Sequence, residues 1–434
     1  MPENRLYITY SNPNGVFCPG SNVEGIVHLD LKEKIKAKSL RITVDGRAYT
    51  HWSATHSRKI LNKDGSTRME NYSVPYSATV IYVTGDSLAW ASPQGKKEVL
   101  RSGSYQFPFV FTLPLTCAPS FEGLYGYIRY MVKVELDRPW RFNKCDQKPF
   151  TVVPIFDLNT NPTARLPVRE VKVKNLGIIL FRSGKVTIQC EMAKSGFVPG
   201  ETIVINATID NDSSSTITKA HVKLVEYSRY VAYEQGNIIR QGIFINACGH
   251  NYRELRRKLA TGHQKLCINK KSKSVAQIYL QVPPTVPSFN MCPIISVEYY
   301  LEVKFETSGA LNSGIESTYP IVLGTVPVQA QTVVVTQPTA PPFMEFPSSS
   351  AVSPAIPSAP PMESPPPYMN SNNGEIAFQP PPPSYEECIQ GVQGTTMDTE
   401  NIEPFAPRYP FYPSLTNTSS NLTSEKNGVL GYKV

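Results

Sequence analysis

From Val297 to Phe305 the chain places an apolar residue at every second position (Val297, Tyr299, Leu301, Val303, Phe305), with Glu298, Glu302 and Lys304 between them. That is the period of a strand with one buried face. Ile128, Tyr130, Val132, Val134 and Leu136 repeat the pattern against Arg129, Lys133 and Glu135. Segments 203–209, 222–231 and 275–282 are rich in β-branched and aromatic residues and are bounded by Gly, Pro, Asn or Ser. No long helical period occurs. Short strands closed by turns predict an all-β protein of antiparallel sandwiches, in which two sheets bury their inner faces on each other.

The pattern occurs twice. Phe17-Cys-Pro19-Gly20 reads against Phe197-Val-Pro199-Gly200, and Pro119-Ser120-Phe121 recurs as Pro287-Ser288-Phe289, each time ahead of one of the two alternating strands. Order and approximate spacing are kept, so the chain reads as tandem domains of one immunoglobulin-like sandwich. The boundaries expected are 1–153 for the first domain, 154–167 for a connector, 168–327 for the second domain and 328–434 for a tail.

Composition separates the tail from the rest. Of the 39 prolines, 19 follow position 330, where Ser, Thr, Asn and Gln replace the aliphatic clusters that could offset the entropy of ordering. This predicts a disordered, Pro-rich tail. From 330 onward the chain carries nine acidic and three basic side chains, so with +8 overall the preceding part is +14. No apolar run approaches a membrane span and the first residues lack the apolar core of a signal peptide. Eight scattered cysteines without a CxxC pair fit a reducing compartment. A cytoplasmic protein is the expectation.

Two peptide motifs give the tail a purpose. Pro365-Pro366-Pro367-Tyr368 and Pro382-Pro383-Ser384-Tyr385 are both PPxY, a ligand for WW domains. Proline presets the polyproline II helix that an aromatic-lined groove reads, and Tyr368 and Tyr385 supply the anchors. The tyrosines are 17 residues apart, a flexible span of roughly 20–25 Å, so tandem WW domains could engage both at an effective concentration of about 1 mM. Pro338-Thr339-Ala340-Pro341 and Pro357-Ser358-Ala359-Pro360 fit P-[ST]-A-P, a ligand of the UEV domain of ESCRT-I.

The basic excess is densest at Arg253, Arg256, Arg257, Lys258, Lys265, Lys270, Lys271 and Lys273. This run reads as a loop able to contact anionic lipid at about 1 kcal/mol per charge. It matches no nucleic-acid motif. Cys248, His250, His263 and Cys267 have the residue types of a zinc site, but the one-residue gap in the first pair is too short for a finger. No metal or cofactor is expected. Neither a nucleophile elbow nor a phosphate-binding loop occurs, and the chain reads as a non-enzyme.

Ser120-Phe121-Glu122-Gly123, Gly126, Ile128, Tyr130 and Arg138-Pro139-Trp140 resemble the N-terminal signature of the arrestin domain-containing proteins, the α-arrestins. Gly196 to Glu201 and Pro320 to Pro327 are similar to the opening and closing strands of the arrestin C-terminal domain. The resemblance covers about residues 5–327. It implies an adaptor whose arrestin domains meet a receptor or transporter, while PPxY motifs recruit HECT-type ubiquitin ligases for endocytosis and endosomal sorting. It also implies a peripheral place at the plasma membrane and endosomes. Pairing PPxY with P-[ST]-A-P is similar to the subgroup that drives vesicle budding through ESCRT-I. The alternative is a retromer-like sorting subunit of the same fold, which needs no PPxY.

Overall fold

The computed structural model describes residues 4–178, 181–234, 237–240, 250–308, 314–329, 383–387 and 405–415. In the N-terminal half, Arg5–Tyr10, Asn22–Leu31 and Gly103–Thr112 form a three-stranded antiparallel sheet. It faces a larger sheet of Thr67–Ala91, Ser39–Leu61, Gly126–Asp137 and Lys144–Val152, closed at its edge by the parallel pair Val16–Phe17. Val23, Val27 and Leu29 from one sheet and Ile42, Val44, Ile128, Val132 and Val134 from the other make the core between them. The side-chain period of two allows this, since alternate residues of each strand reach the same interior.

The second half repeats the arrangement. Val168–Ile178, Phe181–Met192, Thr202–Ser213 and Ser272–Gln281 form one sheet. Gly196–Phe197, Ile315–Leu323, Ile295–Thr307, Ile217–Glu234 and His250–Ile268 form the other. The alternation from Val297 to Phe305 is realised as a buried Val297, Tyr299, Leu301, Val303 and Phe305.

The internal repeat is a repeat of hydrogen bonds. Ser120 donates its backbone N–H to the Val152 carbonyl (2.8 Å), and its hydroxyl oxygen accepts from the Val152 N–H (2.9 Å). Ser288 makes the same pair with Leu323 at 2.8 and 3.0 Å. Tyr130 and Tyr299, both fully buried, donate their hydroxyls to the carbonyls of Ala118 and Val286, each at 2.7 Å. Gly20 and Gly200 sit at φ +81° and +94°, a turn geometry that a Cβ disfavours.

The two sandwiches share a seam. Ile217–Glu234 continues past its own domain and pairs Tyr233 with Ser77 and Glu234 with Tyr76, joining the larger sheets into one. The Thr50 hydroxyl donates to the Val231 carbonyl at 2.7 Å, and Phe121 meets Phe289 edge-on at 6.0 Å between ring centres. The connector adds the turn Leu158–Thr160 and the short helix Pro162–Arg165, whose N-terminal Ala164 N–H is capped by Asn161. Thr325 bonds back to Phe156 through its backbone N–H (2.9 Å) and its hydroxyl oxygen (2.7 Å).

Two expectations change on this fold. Arg129, taken as an outward polar residue, is buried and forms a two-pronged ion pair with Glu122 at 2.6 and 2.8 Å. The basic run is not a loop: positions 250–268 are a strand, Lys270 and Lys271 turn the chain, and Lys273 lies in the next strand, Ser272–Gln281.

Candidate peptide motifs and interaction surfaces

Of the residues expected to bind WW domains, Pro365, Pro366, Tyr368 and Pro382 lie outside the described residues, as do both P-[ST]-A-P motifs, 338–341 and 357–360. Pro383 and Tyr385 are described. Ser384–Glu387 is a short strand, antiparallel to Arg408–Phe411, with Tyr385 opposite Pro410 and Ser384 opposite Phe411. The Ser384 hydroxyl donates to the Phe411 carbonyl at 3.2 Å. Tyr385 is 39% exposed. Burial raises its phenol pKa, and the neighbouring Cys18 adds to the shift.

The segment 405–415 that holds Tyr385 is itself embedded in the body. Tyr409 is 2% exposed and donates its hydroxyl to the Ser120 carbonyl (2.8 Å), the same serine that anchors the repeat. The Arg408 N–H donates to the Thr151 hydroxyl at 3.1 Å. Three residues on, Tyr412 is 4% exposed, among Leu158, Ala164 and Val198. Its N–H donates to the Pro199 carbonyl (3.0 Å) and its hydroxyl to the Thr325 carbonyl (2.6 Å). Burial pushes the Tyr412 phenol up to about 12, helped by Tyr385 beside it. At Gly200 a Cβ would stand 2.6 Å from the Tyr412 carbonyl oxygen, so glycine serves the close approach of the tail backbone as well as the turn.

This docking was missed in the sequence. The available signal was aromatic: Phe405, Tyr409, Phe411, Tyr412 and Leu415 interrupt a stretch otherwise poor in large apolar side chains.

On the strand His250–Ile268, register divides the basic residues. Arg257 turns inward and bonds Glu226, whose side chain is 1% exposed, at 2.8 Å. Arg256 pairs with Glu302, Lys271 with Asp212 (2.6 Å) and Lys273 with Asp210 (2.9 Å). Arg253, Lys258, Lys265 and Lys270 have no such acidic partner among the described residues. Half of the expected lipid-facing charge is therefore already matched within the sheet. Cys248 lies outside the described residues, and no group of three metal-ligating side chains occurs among the described ones. No described helix is long and apolar enough to cross a membrane.

Two tandem sandwiches, a Pro-Gly turn opening each, and in each a serine and a buried tyrosine tied to backbone groups define a two-domain arrestin body. A family model of the arrestin (or S-antigen) N-terminal domain matches residues 6–159, and one of the C-terminal domain matches residues 182–328. The chain belongs to the arrestin family, with the arrestin domain-containing proteins or α-arrestins, and has the adaptor role of that family. It is 25% identical to arrestin domain-containing protein 17 of Caenorhabditis elegans, over 94% of this chain and 99% of that protein. It is 29% identical to mouse arrestin domain-containing protein 4 over 72% and 69% of the two chains. It is 26% identical to human thioredoxin-interacting protein over 95% and 94%.

Proposed function

We propose that the protein links membrane cargo, receptors or transporters, to HECT-type ubiquitin ligases with tandem WW domains, for ubiquitination, endocytosis and endosomal sorting. The observation that carries this reading is the pair of PPxY motifs, ending at Tyr368 and Tyr385, on a chain whose other part is an arrestin body. The body offers a stiff scaffold of sheets and loops for cargo, and the motifs offer a ligand that loses little entropy on docking. The site of action is the cytoplasmic face of the plasma membrane and endosomes.

A capture assay with isolated tandem WW domains tests the ligase branch. The intact chain is expected to be retained, and the chain with Tyr368→Ala and Tyr385→Ala to be lost; equal retention of both would remove ligase recruitment. For the ESCRT-I branch, replacing Pro338 and Pro357 by Ala should abolish binding of an isolated UEV domain, and unchanged binding would remove that branch. Contact with anionic lipid falls to the outward, acid-free part of the basic run, Lys258, Lys265 and Lys270. Vesicles rich in anionic lipid should bind the intact chain more strongly than a Lys258→Glu, Lys265→Glu variant.

A further inference from the structure

We propose that the seam of the two arrestin domains is a peptide-binding cleft for an extended Tyr-Pro-Phe-Tyr segment, filled in the resting chain by its own residues 405–415. We further propose that this occupancy withholds the second PPxY motif from WW domains. The second part rests on the WW reading above; the first does not.

The cleft is a built site, not an incidental contact. Both tyrosines are almost wholly buried, and each hydroxyl finds a backbone carbonyl, Ser120 for Tyr409 and Thr325 for Tyr412. Two backbone N–H groups of the segment, those of Arg408 and Tyr412, are also satisfied by the body. Ser120 and Thr151 come from the first domain; Pro199 and Thr325 come from the second half. A single peptide thus fastens to both. The chemistry selected is an extended strand with a buried phenol, then a second phenol three residues on. Proline between them takes no donor from these bonds, which come from Arg408, Tyr409 and Tyr412. A phosphate on either phenol would have to displace a carbonyl acceptor from a dry site, so the cleft takes unmodified tyrosine.

The consequence for Tyr385 is geometric. A WW domain reads Pro-Pro-x-Tyr as a polyproline II helix with the tyrosine ring laid in a groove. Here Ser384 and Tyr385 are extended, Ser384 is bonded to Phe411, and the Tyr385 side chain, 39% exposed, is partly covered, with Cys18 and Tyr412 beside it. The same residues cannot hold both partners. WW engagement at this motif must therefore peel Ser384–Glu387 from Arg408–Phe411, and a loosened segment 405–415 must in turn favour WW engagement, since the coupling is reciprocal.

The test uses the full chain carrying Tyr368→Ala, so that only the second motif remains, with a single isolated WW domain as the probe. Hydrogen exchange in the free chain should show slow amides at Arg408 and Tyr412; exchange there at unprotected rates would overturn the cleft. The peptide 378–390 measures the unmasked motif. The full chain is expected to bind the WW domain at least about tenfold more weakly than this peptide, and added Tyr409→Ala and Tyr412→Ala should restore the peptide's affinity. Equal affinity of chain and peptide would overturn the masking. A peptide that does not bind at all would sink the WW reading of this motif and leave the cleft to be judged by exchange alone. Thermal unfolding checks that the double variant is folded, and Tyr412→Phe, which removes only the hydroxyl, should give an intermediate affinity.

Discussion

The division of the basic strand into structural and free charges can be tested at Arg257. Its guanidinium is the basic partner bonded to the Glu226 carboxylate, whose side chain is 1% exposed and which also accepts from the Ser228 hydroxyl at 2.9 Å. Arg257→Met removes the cation and leaves a carboxylate held away from water. Breaking a buried pair from one side costs about 3–5 kcal/mol. The Arg257 side chain is 23% exposed, so water reaches the pair from one end, which places the expected loss near the lower figure, about 3 kcal/mol. Lys258→Met, one position along and pointing outward, has no acid to abandon and should cost under about 0.5 kcal/mol. Adding Glu226→Gln to Arg257→Met removes the stranded charge, keeps an acceptor for Ser228, and should recover at least half of the loss. Urea titration followed by circular dichroism measures all four proteins. If Arg257→Met proved no more costly than Lys258→Met, or the double variant were as weak as the single, Arg257 would be a surface charge after all.

Other outcomes follow from the same structure. Tyr130→Phe and Tyr299→Phe each strip a buried carbonyl of its donor and should cost about 1–2 kcal/mol in urea titration; in separate sandwiches, the losses should add to within about 0.5 kcal/mol. Burial raises the thiols of Cys117 and Cys190 to about 11 and that of Cys292 in the same direction, so native protein at pH 8 should alkylate at the exposed Cys145 and Cys267 and spare those three, as read by mass spectrometry. The hydrogen bond from Lys304 holds the Glu316 carboxyl below its usual range. That pairing stabilises the fold above the unfolded carboxylate value and is lost as pH falls through the lower folded value. Lys304→Met should move the Glu316 NMR titration upward; an unmoved titration would remove the pairing.

The alternating strands were legible because each has one face on a core, and a period of two survives any amount of polar decoration on the other face. Arg129 escaped that logic. Its partner Glu122 lies on the facing strand of a tight hairpin, Tyr127 opposite Glu122, and only pairing shows that an arginine between apolar residues is sealed in. The basic strand was hidden for a different reason: Arg253 and Arg257 share the inward register with Leu255 and Leu259, so charge appears on both faces and the alternation is masked. The docked tail could not be read locally. Arg408, Tyr409 and Tyr412 meet Ser120, Thr151, Pro199 and Thr325, positions scattered over some two hundred residues, and the tail's proline content argued for no contact whatever. The PPxY and P-[ST]-A-P motifs were legible as spelling, because short extended ligands are defined by composition and not by neighbours.

The backbone pairing at Tyr233–Ser77 and Glu234–Tyr76 has a mechanical consequence. A hinge between the two lobes would have to shear through a hydrogen-bonded ladder, with the Thr50–Val231 bond as a second rivet close by. Force applied at one end is thus transmitted along strands to the far end instead of being absorbed at a flexible joint, and the two lobes answer a load as one stiff beam.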